Sequence, residues 1–135
     1  MAKEYIIYCD ESISKGRYYS DFYGGVLISS AQVDEAKQIL EKEKAILNLK
    51  NEVKWSRVTE NYLHKYIQLM TVFFQLVEKN VVKVRIMFRQ TAQEPINLTA
   101  KHKEIGYFLL YYQFIKHAFG LKYCNNSSSK VHLRL

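Results

Sequence analysis

Hydrophobic residues along this chain recur with two different periods, and the periods divide it into strands and helices. Tyr5-Ile6-Ile7-Tyr8-Cys9 is a short, almost wholly apolar run of β-branched and aromatic residues that stops at Asp10-Glu11-Ser12. A strand buried on both faces has this pattern. Residues 13–21 carry Ser14, Gly16 and Ser20 and predict a turn, and residues 22–29 (FYGGVLIS) predict a second strand. Gly24 and Gly25 inside it predict a bulge or the close approach of another segment. Ser29 and Ser30 offer oxygens to cap the following helix, in which Val33, Ala36, Leu40 and Leu47 recur at helical spacing until residues 48–51 interrupt it. After Glu52-Val53-Lys54-Trp55 a longer helix is expected from about Ser56, with Leu63, Tyr66, Ile67, Met70, Phe74 and Val77 as its apolar face.

Further along, Val82, Val84, Ile86 and Phe88 alternate with Lys83, Arg85 and Met87, which predicts a strand over 81–88 with one partly polar face. Residues 89–101 hold the single proline, Pro95, and read as a connection. Another helix is expected after Thr99, running to Ala118 with Gly120 as its stop. A polar turn at 125–129 leads into Val131-His132-Leu133-Arg134-Leu135, which alternates like the opening of a strand. The order predicts an α/β fold of one domain: a mixed central sheet in which 5–9 and 22–29 pair antiparallel, 81–88 joins them, and helices cover the sheet. Since the last apolar strand has barely opened when residue 135 is reached, the domain is expected to be incomplete at its C-terminus.

Composition narrows the functional classes. The 135 residues carry 20 Lys+Arg against 13 Asp+Glu, a net charge of +7. Such a charge favours acidic partners, nucleic acid foremost, through phosphate neutralisation. The basic residues are scattered and form no tail. The most apolar stretch, 105–121, is interrupted by Gln113, Lys116 and His117 and is a poor membrane span. Asp10 and Glu11 stand where a secretory signal would continue its apolar run. Cys9 and Cys124 are too far apart for a zinc or redox spacing, and their scarcity fits a reducing compartment. Together these features predict a cytoplasmic protein with no membrane partner.

Candidate chemistry centres on Asp10-Glu11-Ser12 at the carboxyl end of a strand, where α/β folds expose side chains on a rigid base. Adjacent acids resist ionising together, and a hard cation such as Mg²⁺ or Mn²⁺ would remove that cost. The plainer alternative is a solvated turn. Glu52 is the second candidate: Trp55, the one tryptophan, is expected to anchor its segment on the core and so to fix Glu52 and Lys54 as ligand or phosphate contacts. The alternative there is an ordinary helix start. His64, His102, His117 and His132 are dispersed and form no zinc motif, Ser12 and Cys9 have no recognisable base, and Gly24-Gly25 lacks the rest of a phosphate loop. The helix with Tyr107, Phe108, Tyr111, Tyr112, Phe114 and Phe119 reads as core or subunit interface, although Lys101, Lys103, Lys116 and Lys122 beside those rings also suit nucleic acid.

Tyr8-Cys9-Asp10-Glu11-Ser12, then Phe22-Tyr23-Gly24-Gly25-Val26-Leu27-Ile28, then Glu52-Val53-Lys54-Trp55 resemble the amino-terminal half of the family known as domain of unknown function 3800. Members of that family resemble the ribonuclease H-like superfamily in fold. The resemblance covers about residues 5–55 and implies a first-strand acid at Asp10 with Glu11 beside it, a second acid at Glu52, and a further acid on a later strand. This sequence ends before that later acid, and it has Ile13 where a glycine often follows Asp-Glu-Ser. A long helical insertion also follows the second strand. Two functions compete. The first is a metal-dependent phosphodiesterase acting on nucleic acid, with Mg²⁺ or Mn²⁺ held by Asp10 and Glu52, catalysis resting on Asp10, Glu52 and Glu11, and substrate met by Lys54 and Ser12. The second is a noncatalytic module that binds nucleic acid or protein. The shared site requires the carboxylates of Asp10 and Glu52 to approach within about 4–6 Å, as ligands of one cation do. Homo-oligomers are expected through the helix carrying Tyr107 and Phe119.

Overall fold

The computed structural model describes residues 3–12, 16–93, 97–123 and 129–135. Ile13, Pro95 and most of the turn expected at 125–129 lie outside the described residues, as do the side chains of Lys103 and Lys122. The fold is mixed α/β, as the periodicity predicts. Its strands are β1 (Glu4–Ser12), β2 (Tyr19–Ser29), β3 (Val82–Gln90) and β4 (Lys130–Arg134), and its helices are α1 (Val33–Ile46), α2 (Leu63–Glu78) and α3 (Ala100–Gln113). The strands form one sheet in the order β3-β2-β1-β4. The chain packs as two compact units, residues 28–83 and the remainder on either side of them.

The sheet is mixed. β1 and β4 run parallel, with Tyr5 opposite Val131 and Ile7 opposite Leu133. Only residues 13–18 join β1 to β2, too few for a parallel crossover, so this pair is an antiparallel hairpin. β3 also runs against β2: the Thr91 N–H at its far end donates to the Tyr18 carbonyl at 2.8 Å, and the Phe88 ring meets Tyr19 edge-on. The expected pairing of the first two strands and the third strand's place in the same sheet are both observed.

In the larger unit the core lies between the sheet and α3. Ile7 and Cys9 of β1, Tyr23 of β2, Tyr111 of α3 and Phe114 just beyond it form one buried cluster. Tyr23 meets Tyr111 edge-on with ring centres 4.8 Å apart, the geometry in which a ring edge faces a ring's electron-rich surface. The backbone widens to a π-turn at Phe114–Ala118, and Gly120 ends the helical run with φ +70°. Gly25 explains itself by close approach: a Cβ there would lie 3.0 Å from the Phe114 ring and 3.1 Å from that of Phe119. A Cβ at Gly24 would meet nothing within 4 Å. The left-handed residue of β2 is not a glycine but Asp21, φ 53°, a conformation that Asp tolerates better than most.

Several boundaries depart from expectation. β1 continues through Asp10, Glu11 and Ser12 rather than stopping at them. Ser29 and Ser30 do not cap α1, whose N-cap is Gln32 with no side-chain bond. Thr99 does cap α3, accepting from the His102 N–H at 3.2 Å. α2 begins at Leu63, because Trp55–Arg57 forms a separate 3₁₀ turn that ends in extended backbone at Val58. Asn48 and Asn80 close α1 and α2 in the left-handed region, φ 56° and 58°, where Asn serves nearly as well as Gly. On β3 it is the partly polar set that meets the core side: Met87 packs against the aromatic cluster, and Arg85 Nε donates to the Ala118 carbonyl at 3.1 Å. A cation at that position complements the exposed carbonyls of a helix end.

Gly25→Ala should destabilise the chain by about 1–3 kcal/mol, since the buried Phe114 ring has no room to withdraw. Gly24→Ala should stay within about 1 kcal/mol of the parent. Denaturant unfolding of the two variants checks the contrast.

Candidate functional site

The strand-end acids separate because a β-strand sends successive side chains to opposite faces. Glu11 follows Ile7 and Cys9 onto the face covered by α3. There the Tyr107 hydroxyl donates to its Oε1 at 3.0 Å, and the Tyr111 hydroxyl donates to its Oε2. Tyr107 and Tyr111 stand one helical turn apart, so both phenols reach the same carboxylate. Asp10 points the other way and is exposed, its Oδ1 accepting the Glu11 N–H at 2.9 Å. Ser12 ends β1 and is exposed. Asp10 and Glu11 thus have separate surroundings, and each oxygen of Glu11 accepts a phenol hydrogen bond. Among the described residues no group of three or more His, Cys, Asp or Glu side chains converges as a metal site.

The phenols respond to this environment. Burial, and then the hydrogen bond to Glu11, hold the Tyr111 hydroxyl well above the usual phenol range. Tyr107 is raised by the same two causes in the same order. Tyr23 is raised by burial and then by the negative charge of Asp21. Asp21 itself pairs with Arg89 at 2.5 Å. The two belong to β2 and β3 and line a cleft of about 340 Å³ with Met87, Phe88, Gln90 and Leu110. Burial alone raises the Cys9 thiol, so it is a core residue and a poor nucleophile.

Glu52 and Lys54 belong to the unit formed by residues 28–83, and Asp10 belongs to the other. They pair with each other, Lys54 Nζ to Glu52 Oε2 at 2.9 Å, and both side chains are more than half exposed. Trp55 does not anchor them to a core: it is 88% exposed. The face expected to be the packed one on α2 is also open. Ile67 is 56% and Phe74 58% exposed, with Leu63 and Met70 also exposed, whereas the helix buries Leu69 and Leu76. α2 carries two apolar stripes, and packing within the unit uses the one with Leu69 and Leu76.

Open apolar residues and the Trp55 segment together enclose a groove of about 770 Å³. Its lining includes Val53, Trp55 and Val58 of that segment and Leu63, Ile67 and Phe74 of α2. Lys54 and Glu78 are among its polar lining residues. Sequence reading named most of these residues but assigned them to the interior. The signal it passed over was the second stripe of α2, Leu69, Val72, Phe73 and Leu76, which is equally able to face a core. The tyrosine clamp on Glu11 was hidden for another reason, since only the fold brings residues 96 and 100 positions away to the strand end.

α3 is a core helix rather than an association surface at its central rings: Tyr111 and Phe114 are buried. Its outward side presents Phe108, Leu109 and Tyr112, with Lys116 lying over the Tyr112 ring at 5.3 Å. No described helix is long and apolar enough to cross a membrane. Comparison with protein-family models, curated proteins and solved structures finds no match to this chain.

Tyr111→Phe should cost about 1.5–3 kcal/mol, the loss of a hydrogen bond to a charged acceptor. Because the folded phenol keeps its proton to higher pH than an unfolded one, its contribution is complete below about pH 10. It declines above that pH as the unfolded phenol ionises. Stability should consequently fall more steeply above pH 10 in the parent than in Tyr111→Phe, as read by denaturant unfolding across the alkaline range.

Proposed function

We propose that this chain is a noncatalytic binding module whose working surface is the apolar groove between the Trp55 segment and α2. The observation that carries the reading is the run of large apolar side chains left open there, with Trp55 at 88% exposure and Ile67 and Phe74 each above half. Isolated apolar residues on a surface need no explanation, but a contiguous patch in a concave setting marks a site of association. A tryptophan flanked by aliphatic residues is also the composition from which binding hot spots are built. The acids add no competing site in this reading: Glu11 ties α3 to β1, and Glu52 forms an exposed pair with its neighbour Lys54.

A second reading keeps the metal-dependent phosphodiesterase suggested by the resemblance to the domain of unknown function 3800 family and to ribonuclease H-like folds. Its support is the exposed carboxylate of Asp10 near the carboxyl end of β1, together with a charge of +7 suited to nucleic acid. It assigns Mg²⁺ or Mn²⁺ to Asp10 and Glu52, substrate contacts to Lys54 and Ser12, and catalysis to Asp10, Glu52 and Glu11. Cleavage of single- or double-stranded nucleic acid that depends on added Mn²⁺ and is lost in Asp10→Asn would favour this reading over the module.

A binding surface differs from a core in what substitution does to folding. In dilute protein, Phe74→Glu should stay within about 1 kcal/mol of the parent, as substitutions at open surface positions do. Leu69→Ala, on the buried stripe of the same helix, should cost about 2–5 kcal/mol. Denaturant unfolding of both variants reads the difference, and a Phe74→Glu chain as damaged as Leu69→Ala would reject the module.

A further inference from the structure

Independently of the groove, and within the larger unit, we infer that the face of the sheet turned away from α3 binds single-stranded nucleic acid. Bases stack on Tyr19, Phe22 and Phe88, and phosphates meet Lys130 and Arg134 of β4. Strand alternation assigns the residues of that face. Ile7, Cys9, Tyr23 and Met87 belong to the core on the α3 side, so Asp10 of β1, Phe22 and Gly24 of β2, and Ile86 and Phe88 of β3 stand on the opposite side. β4 follows through its register: Glu4 is opposite Lys130, Ile6 opposite His132 and Tyr8 opposite Arg134, and residues paired across neighbouring strands share a face. The approach of His132 to the Glu4 carboxylate at 3.7 Å agrees with that assignment.

This face is open and aromatic. Phe88 is half exposed, and Tyr19, Phe22 and Ile86 are exposed with it. The Phe88 ring centre lies 5.0 Å from that of Tyr19 and 5.7 Å from that of Phe22, so the three rings make one patch. A Cβ at Gly24, two residues along β2 from Phe22, would meet nothing within 4 Å, so the space beside the rings is clear. Rings on an open sheet are the surface on which unpaired bases stack, about two or three to a four-stranded sheet. Paired bases hide their faces inside a duplex, and a flat patch of rings therefore selects a single strand.

Charge complementarity selects a polyanion over an apolar partner. Lys130 and Arg134 are exposed, and in the order β3-β2-β1-β4 they stand on the strand farthest from Phe88, about 14 Å away at the usual strand spacing. A single strand crossing the sheet meets rings on one side and cations on the other. Arg17 adds a further cation next to Tyr19 in the chain, lying over the exposed Tyr18 ring at 5.2 Å. Of the acids on this face, Glu4 faces His132, and Asp10 lies beyond the register of β4, which ends with Arg134 opposite Tyr8. The chain as a whole carries +7, which favours a polyanion through release of its counterions.

Fluorescence anisotropy tests the assignment on the intact chain, with an end-labelled oligothymidylate of about 12 nucleotides, a length within the usual site sizes. Titration in EDTA over a salt series keeps binding separate from any metal-dependent cleavage. The expected result is saturable binding that weakens with salt, for which an unlabelled duplex of the same length competes about tenfold less well than the single strand. Phe88→Ala removes a stacking ring and Gly24→Glu places a carboxylate in the clear space, and each should weaken binding about tenfold. Arg134→Gln should lower the slope of log affinity against log salt by about 0.7, one phosphate contact on a single strand. Circular dichroism checks that each variant is folded, and Gly24→Glu, at a position with room for a side chain, decides the matter if Phe88→Ala unfolds. No binding at low salt, binding that Gly24→Glu and a folded Phe88→Ala leave unchanged, or equal competition by the duplex overturns the assignment.

Discussion

The alternation of side chains along a β-strand is the constraint on which the chemistry of this protein turns. It sends Asp10 and Glu11 to opposite faces, so two acids adjacent in sequence have separate fates. Glu11 enters the space beneath α3, where a carboxylate needs hydrogen-bond partners in place of water. Tyr107 and Tyr111 supply them, one phenol to each oxygen. The same contact fixes the rotation of α3 on the sheet. With Tyr111 committed to Glu11, Phe114 falls one turn further along against β2, where Gly25 leaves the space its ring requires. A polar anchor thus sets the register of an apolar core.

α2 poses the opposite problem, a surplus of apolar surface. A helix with one stripe has one way to pack. α2 has two, and the interior of its unit takes Leu69 and Leu76. What remains outside is the other stripe, Leu63, Ile67, Met70 and Phe74, together with the exposed Trp55. Leaving this much apolar surface in water forgoes burial worth on the order of 25 cal/mol per Å². That forgone burial is available to an association, and it gives the binding reading its thermodynamic basis.

Element type was legible in the sequence wherever one period dominated. The alternation in β3, the apolar runs of β1 and β2, the helix after Thr99 and its stop at Gly120 all stand where pattern and local chemistry put them. Boundaries depended on weaker signals: the acids of β1 read as a terminus yet continue the strand, and α2 starts seven residues later than Ser56. Which face of α2 would be buried was not legible, because both stripes have helical spacing and hydrophobicity alone does not rank them. Trp55 misled for a related reason. Its size makes burial the usual outcome within a chain, but the same size serves an interface between chains. For the candidate site, Asp10, Glu11, Glu52 and Lys54 were all visible as residues, whereas the partners of Glu11 were set by contacts distant in sequence, and Glu52 and Lys54 were taken up by each other, two positions apart.

Iodide quenching of the Trp55 emission, compared between the native and the denaturant-unfolded chain in dilute protein, measures the central claim most directly, because the chain contains a single tryptophan. With Trp55 88% exposed beside the open stripe of α2, the native chain should be quenched nearly as strongly as the unfolded one. A native emission shifted to the blue and shielded from iodide would contradict the account and return Trp55 to an interior.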